Sequence, residues 1–392
     1  MKNKKRPFVW NGQLKIGVLG AGQLGKMMAL EAANWHIPFE LMDKDVNCPA
    51  MPYATRFVKG DFKKKEDVLH FGRQVDILTI EIEHVHTGAL KQLKSEGINV
   101  YPQPEILDII IDKGLQKQFY KQHHIPTAAF QLFLNEKSIQ DAVSKGTLQL
   151  PFVQKSRTGG YDGRGVAVIK NKEDLQTKLL PGASMVEDLV DIEIELAVVV
   201  ARNADGEMKS FPIVDMVFDE TANLVDYLQT PTSISKEQAK KALEIAEATA
   251  KAYNICGLLA IELFLTKKGE MLVNEVAPRP HNSGHHTIES CPTSQFAQHI
   301  RAILNLPLGD TRLLQPTVML NLLGEPGHEG PAFYQGMEKV LAIPNVFVHL
   351  YGKKETRPYR KMGHITILAS TLDEALAKTH KIKALIKCIS VD

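Results

Sequence analysis

Between residues 155 and 165 the chain reads Lys-Ser-Arg-Thr-Gly-Gly-Tyr-Asp-Gly-Arg-Gly, directly after an apolar segment. Four glycines interleaved with Lys155, Arg157, Asp162 and Arg164 confine this stretch to a loop whose backbone N–H groups can point inward. The basic side chains add the charge that holds a polyphosphate. A tight solvated hairpin turn is the plain alternative, but such a turn needs only one or two glycines. The loop reads as a cover for phosphate.

A chain of 392 residues exceeds one ordinary core and implies two or three domains. Leu14 to Leu19 reads as a buried strand, Gln23 to Asn34 as a helix, Phe39 to Met42 as a second strand and Asp76 to Ile80 as a later one. This alternation describes a parallel α/β unit. Ile106 to Gln122 reads as helical. From about residue 113 to 305 the pattern shifts to longer strands, Ala183 to Val190 and Glu193 to Ala201, with a long amphipathic helix over Lys236 to Tyr253. Gly257 to Thr266 and Gly269 to Val276 form an expected hairpin through Lys267 and Lys268. Beyond Pro307 come short strands at Val318 to Leu322, Val346 to Leu350 and His364 to Leu368, then a closing helix from Leu372 to Ile386. The expected domains are 1–112, 113–305 and 306–392.

Gly20-Ala-Gly22-Gln23-Leu24-Gly25 matches the dinucleotide fingerprint G-x-G-x-x-G, with Asp43 after the next strand. Alone it suggests an NAD-dependent oxidoreductase. Its physics is broader, because a glycine turn at a helix N-terminus attracts any anion, pyrophosphate or sugar phosphate. Glycines needed only for close strand–helix packing are the alternative. A second and richer phosphate loop at residue 155 has no use in a dehydrogenase.

Further residues favour ATP. Lys113 and Lys117 follow Asp112 on a helical segment and can meet phosphate across from Lys155, although surface lysines are commonly just solvated. Glu187, Asp188, Leu189 and Val190 end a strand that can offer backbone groups and a carboxylate to adenine, with Glu195 available for ribose hydroxyls. Glu262 sits inside an apolar run, where a charge is costly unless a partner or metal compensates it. Glu275 lies on the expected facing strand beside Asn274, so the three side chains offer hard oxygens suited to Mg²⁺. The alternative is a buried Glu262 paired with Arg279 or Lys155. Next come Arg279, His281, Asn282, Ser283 and His285 on a backbone fixed by two prolines. Histidines there can suggest zinc, but the arginine and the lack of nearby cysteine favour a polar substrate pocket. Lys353, Lys354, Arg357, Arg360 and Lys361 form a basic segment that reads as a phosphate clamp or a solvated loop.

A formal net charge of +2 argues against a broad nucleic-acid field, and the local patches Lys2 to Arg6 and Lys63 to Lys65 read as solvated surface. Cys48, Cys256, Cys291 and Cys388 are scattered without zinc spacing and read as reduced, mostly buried thiols of a cytoplasmic protein. Pro7, Trp10, Asn11 and Gly12 interrupt any apolar leader, and no run of about 18 apolar residues suggests a membrane span.

Assembled in order, the motifs resemble the ATP-grasp enzymes, specifically the N5-carboxyaminoimidazole ribonucleotide synthetases of purine biosynthesis. The resemblance runs from about residue 13 to the C-terminal region and rests most on Arg157 to Gly165 and on Asn274 to His285. It implies an α/β chain, α+β in its nucleotide domain, with a Rossmann-like parallel-sheet domain, a central ATP-grasp domain and a small β-rich C-terminal domain. It implies ATP and Mg²⁺, with bicarbonate as co-substrate, and a cytoplasmic homodimer acting on small molecules, with no nucleic-acid or membrane partner. By the same resemblance Lys113 and Lys155 contact ATP phosphates under Gly160, Tyr161, Asp162, Gly163, Arg164 and Gly165. Glu187, Asp188, Leu189 and Val190 hold adenine, Glu195 meets the ribose, and Asn274 and Glu275 complete the ATP set. Glu262 and Glu275 are the implied Mg²⁺ ligands. Gly22, Gln23, Leu24, Tyr161, Asp162, Arg164, Arg279, His281, Asn282, Ser283, Lys353 and Arg360 surround the implied substrate, 5-aminoimidazole ribonucleotide. Catalysis falls to Lys155, Tyr161, Asp162, Arg164 and Arg279, with Asp162 orienting or deprotonating the substrate amine or bracing Arg164. Asp215 stands where the family often has His or Glu near the nucleotide. Lys26 and Lys113 stand where it commonly has Arg, which keeps charge but loses bidentate geometry. Alternatives are another ATP-grasp ligase, such as a formate-using glycinamide ribonucleotide transformylase, and a non-catalytic nucleotide-binding module.

Overall fold

Strand β1 (Ile16–Leu19) is buried along its whole length, as a strand covered on both faces must be. It feeds a glycine turn and helix α1 (Gln23–Asn34), then β2 (Phe39–Asp43) and β3 (Arg56–Lys59). Helix α2 (Lys65–Gly72), β4 (Ile77–Ile80), α3 (Thr87–Ser95) and β5 (Asn99–Val100) complete a parallel sheet ordered β3-β2-β1-β4-β5. The chain reverses its direction of sheet growth between β1 and β4. The loops leaving the C-terminal ends of these two neighbours therefore open onto one crevice. This computed structural model describes residues 13–160, 165–219 and 224–391.

The single helix expected over Ile106 to Gln122 is two helices, α4 (Pro104–Ile111) and α5 (Lys113–Gln122). Asp112 between them is extended, and its Oδ1 accepts from the N–H groups of Gly114 and Leu115. An N-cap carboxylate satisfies donors that a continuous helix would leave to the preceding turn, so the break falls there.

The central region divides into two sheets. Strand β6 (Phe130–Phe133), helix α6 (Glu136–Ser144), β7 (Phe152–Ser156), β8 (Val166–Ile169), α7 (Lys172–Thr177) and β9 (Ser184–Asp188) build a small sheet ordered β6-β9-β7-β8. The glycine-rich loop joins the antiparallel neighbours β7 and β8, with Lys155 opposite Val166. Tyr161, Asp162, Gly163 and Arg164 lie outside the described residues, as do Lys2 to Arg6.

The larger sheet starts with β10 (Ile192–Arg202), β11 (Met208–Ser210), β12 (Val214–Asp219) and β13 (Leu224–Thr230). Helix α8 (Lys236–Tyr253) then crosses to β14 (Gly257–Thr266) and β15 (Met271–Ala277). Ser235 and Gln238 cap α8 reciprocally, and Asn254 ends it in the left-handed conformation at φ 49°. Ala242, Ala246 and Ala250 form its buried stripe over Leu196, Val198, Leu259 and Ile261. Each such Leu, Val or Ile contributes roughly 1.5–3 kcal/mol on burial. In the β14–β15 hairpin Gly269 sits in the turn at φ 78°, so the second strand begins at Met271 rather than at the glycine.

Helices α9 (Thr287–Ser290) and α10 (Gln295–Ile303) follow, with Phe296, Ile300 and Ile303 entering the core beneath α1. The remaining elements are β16 (Thr317–Leu323), β17 (Gly330–Gln335), α11 (Met337–Leu341), β18 (Val346–Leu350), β19 (Glu355–Thr356), β20 (Lys361–Leu368), α12 (Leu372–Leu385) and β21 (Lys387–Ser390). The C-terminal strands have their own core around Ile365, Ile367 and Ile382. They do not form a detached sheet, because β16, β20 and β18 extend the central one in the order β15-β14-β10-β12-β13-β16-β20-β18. Among the described residues β19, β17 and β21 form a small separate sheet. Backbone hydrogen bonds between β13 and β16 thereby join the C-terminal region to the nucleotide half.

Candidate active site

The glycine turn of α1 is already occupied by protein carboxylates. Asp43 Oδ2 accepts from Ala21 N at 3.0 Å, while Glu81, just past β4, accepts from Gly22 N and from Gly25 N. A dinucleotide needs Asp43 free for a ribose and the helix N-terminus free for pyrophosphate. Neither condition holds. Gln23 and Leu24 line a cavity of about 780 Å³, whereas Gly22 serves the bond to Glu81 and has no room for a Cβ, which would lie 2.8 Å from Glu81 Oε1.

This cavity lies where all three regions meet. Its wall includes Glu81, Glu83 and His84 from the first, Lys113, Arg157, Gly160, Glu262, Glu275 and Arg279 from the second, and Tyr351 and Lys361 from the third. Lys63 to Lys65 are exposed, and Lys63 also reaches the wall. Met216, Phe218 and Leu228 supply an apolar side.

Glu262 and Glu275 are register partners on β14 and β15, next to an irregularity in the pairing. Lys113 forms an ion pair with Glu275 and holds its carboxyl below the ordinary range against the opposing effect of burial. Burial, followed by the neighbouring charges of Glu275 and Glu195, pushes the Glu262 carboxyl up. Although 40% of the Glu275 side chain is open, it opens into the deep cavity rather than onto the outer surface. Asn274 Nδ2 lies 3.4 Å from Glu262 Oε2, and His281 Nε2 lies 3.7 Å from Glu262 Oε1. Among the described residues no group of three or more His, Cys, Asp or Glu is arranged to hold a metal. The pair offers part of a hard-oxygen shell, which suits an ion that takes its remaining ligands from phosphate and water.

Lys155 Nζ donates to Asn274 Oδ1 at 2.9 Å and pairs with Glu187 Oε1 at 2.5 Å. The Glu187 carboxylate expected at an adenine edge is thus held by lysine, and Glu262 pairs with neither Arg279 nor Lys155. Asp188, the last residue of β9, and Leu189 just beyond it are exposed, where the small sheet passes into the large one. Burial pushes the Glu195 carboxyl up to about 7. Asp215 is not brought to the cavity wall: it is buried and accepts from Gln229, Thr232 and Ser233 N, fastening the chain between β13 and α8.

On the other side, Arg279 Nε lies 2.8 Å from Glu83 Oε1. His281 Nδ1 shares a hydrogen bond with Ser283 Oγ at 2.9 Å, and Asn282 Nδ2 donates to Asn321 Oδ1 at 2.9 Å. Gln295, fully buried on α10, pins this loop: its Oε1 accepts from His281 N, and its Nε2 reaches His281 O and His285 Nδ1. Lys353 Nζ donates to Lys361 O at 2.6 Å and Arg360 Nη1 to Glu355 O at 2.6 Å, so both basic groups brace the segment while Lys361 meets the cavity. Lys26 donates to Leu350 O at 2.7 Å, tying the glycine-turn helix to β18. Sequence reasoning missed Glu81, Glu83, His84 and Gln295. The first three carried a usable signal, an acidic loop leaving a parallel strand at a switch point. Gln295 carried none.

A parallel-sheet domain, a two-sheet nucleotide domain and a carboxylate pair sharing a cavity wall with Gly159 and Gly160 define an ATP-grasp protein. Residues 13–111 match the ribonucleotide synthetase preATP-grasp domain, 118–296 the ATP-grasp domain and 317–378 the phosphoribosylaminoimidazole carboxylase C-terminal domain. The crystal structure of N5-carboxyaminoimidazole ribonucleotide synthetase from Thermotoga maritima is 44% identical with a TM-score of 0.89, over 96% of this chain and 100% of that one. The chain belongs to the N5-carboxyaminoimidazole ribonucleotide synthetase family. The Aspergillus clavatus synthase, solved with ADP and 5-aminoimidazole ribonucleotide, is 33% identical with a TM-score of 0.88, over 96% and 99% of the two chains. The chloroplastic phosphoribosylaminoimidazole carboxylase of Vigna aconitifolia is 39% identical over 92% of this chain and 65% of its own length. The chain thus spans just under two thirds of that relative.

Proposed function

We propose that this chain carboxylates 5-aminoimidazole ribonucleotide with bicarbonate at the expense of ATP, giving N5-carboxyaminoimidazole ribonucleotide, ADP and phosphate. The observation that carries the reading is one cavity with the Lys113–Glu275 pair and Glu262 at one side and the Arg279 to Ser283 loop with Gln23 at the other. Family membership supports the choice of substrate.

In this proposal a bicarbonate oxygen attacks the γ-phosphorus, forming a P–O bond as the bond to the ADP oxygen breaks. The substrate amine then attacks the carbonyl carbon of carboxyphosphate, or of the CO₂ it releases, and phosphate departs with its electron pair. Asp162 takes the amine proton. Lys113, Lys155 and Arg279 hold developing negative charge, and catalysis is mainly positioning and electrostatics. Glu262 and Glu275 would hold Mg²⁺, which supplies charge neutralisation for the phosphates when bound. Tyr161, Arg164 and the glycines around them close over the site and exclude water, which destroys carboxyphosphate. Gly160, Gly165, Glu187 to Val190, Glu195 and Asn274 serve the nucleotide, and Lys353 with Arg360 the substrate phosphate. Asp215 acts on the nucleotide only through the chain it fastens. We extend the proposal to a cytoplasmic homodimer.

The test is phosphate release from ATP and bicarbonate with and without 5-aminoimidazole ribonucleotide. Strict dependence on the ribonucleotide is expected. Equal release without it, or release driven by formate and glycinamide ribonucleotide, overturns the reading.

A further inference from the structure

Lys117 places its amino group away from both the cavity wall and solvent, where burial lowers its pKa from the ordinary lysine value and the Glu187 carboxylate opposes that shift. It lies one turn after Lys113 on α5, and its side chain is 2% exposed. Its Nζ is 2.8 Å from Glu187 Oε2 and donates to Thr127 Oγ1 at 2.5 Å, and that hydroxyl donates to Val273 O. The other Glu187 oxygen is the one bound by Lys155. Two cations therefore share one buried anion. Lys155 is the more open of the two, at 13% exposed.

Burying three charges costs several kcal/mol even when they are paired, and an apolar side chain at position 117 would pack more cheaply. The arrangement has an electrostatic consequence that an apolar residue could not reproduce. Glu187 with Lys155 alone is a closed neutral pair, whose lysine has little attraction left for another anion. With Lys117 behind it, the cluster carries a surplus positive charge, and the accessible end of that charge is Lys155 Nζ. We propose that Lys117 is a positioning residue that holds Glu187 from behind and so leaves the charge of Lys155 to a nucleotide phosphate. This inference rests on the ATP-binding part of the function proposed above. Burial alone would raise the Glu187 carboxyl, but Lys155 and Lys117 together hold it below the ordinary range, as a fully ionised bridge requires.

Direct titration of the purified chain with ATP and Mg²⁺, without bicarbonate or ribonucleotide, reads this role independently of the acceptor. Lys117→Met should weaken ATP binding by about tenfold, the worth of one charge-assisted contact. In turnover assays it should raise the KM for ATP more than it lowers kcat. The deciding comparison repeats the substitution in a Glu187→Gln background, where the directly paired anion no longer competes for Lys155 and the loss should shrink to about threefold or less. Equal losses in both backgrounds, or unchanged ATP affinity with a lowered melting temperature, assign Lys117 a purely structural role and overturn the proposal. Should Lys117→Met not fold, Lys117→Gln carries the same comparison. No ATP binding by the wild-type chain overturns both this role and the ATP reading. ATP binding without ribonucleotide-dependent turnover overturns only the assigned reaction.

Discussion

Glu262 and Glu275 face one another across the β14–β15 pair, and their environments drive the two carboxyls in opposite directions. Lys113 keeps Glu275 ionised, while burial beside that charge makes ionisation of Glu262 costly. A dication between them would relieve the repulsion and draw both into the ionised form.

Glu275→Gln should lower kcat by at least about 100-fold at saturating Mg²⁺, since it removes a carboxylate proposed to hold Mg²⁺ and strands Lys113. Steady-state kinetics across a Mg²⁺ series checks this. Near-normal kcat would contradict the assignment.

Asp162→Asn should cut carboxylation by about 100-fold if the side chain removes the amine proton. Retention of the full rate would leave it only the bracing of Arg164. Product formation from labelled bicarbonate distinguishes these outcomes.

Glu195, with its carboxyl pushed up to about 7 by burial, should make ATP binding pH-dependent. Its ionised form is the better acceptor for ribose hydroxyls, so affinity should rise as pH increases through about 7. Titrations between pH 6 and 8, roughly one unit either side of that value, should show this limb in the wild type and not in Glu195→Gln.

Gln295→Ala should impair catalysis from outside the cavity. It leaves the half-buried His281 N without its partner and His281 O with Gly284 N alone, a cost of about 1–3 kcal/mol. A lowered melting temperature together with a reduced kcat is expected. Loss of stability with unchanged kinetics would show that the loop keeps its geometry unaided.

Acid should destabilise the fold through its buried histidines. Burial holds His286 and His299 down to about 4 from the ordinary 6.5. Because the folded values are depressed, their contribution is present above about 6.5 and is lost as pH falls through about 4. Linkage puts the loss at about 2 kcal/mol per histidine by pH 5. Urea unfolding at pH 7.5 and 5 should show it, and His299→Gln should flatten the slope.

Strands β1, β2 and β4 and helix α1 of the first domain, the β14–β15 hairpin and the turn that joins β7 to β8 were legible in the sequence. Each depends on a local rule: side-chain period, the φ freedom of glycine, or an apolar run bounded by turns. The break at Asp112 was not legible, because its apolar period continues across a cap. Nor could composition show that β16 joins β13, which merges the C-terminal strands into the central sheet.

Sequence by itself therefore determined which residue types are present for phosphate, metal and amine chemistry, and in what chain order. Tertiary structure alone decided their partners: Glu81 on the glycine turn, Glu83 on Arg279, Lys113 on Glu275, and Lys117 behind Glu187. The physical reason is range. A backbone conformation is set within a few residues, whereas a buried charge is compensated by whatever the packing brings to it from tens or hundreds of residues away.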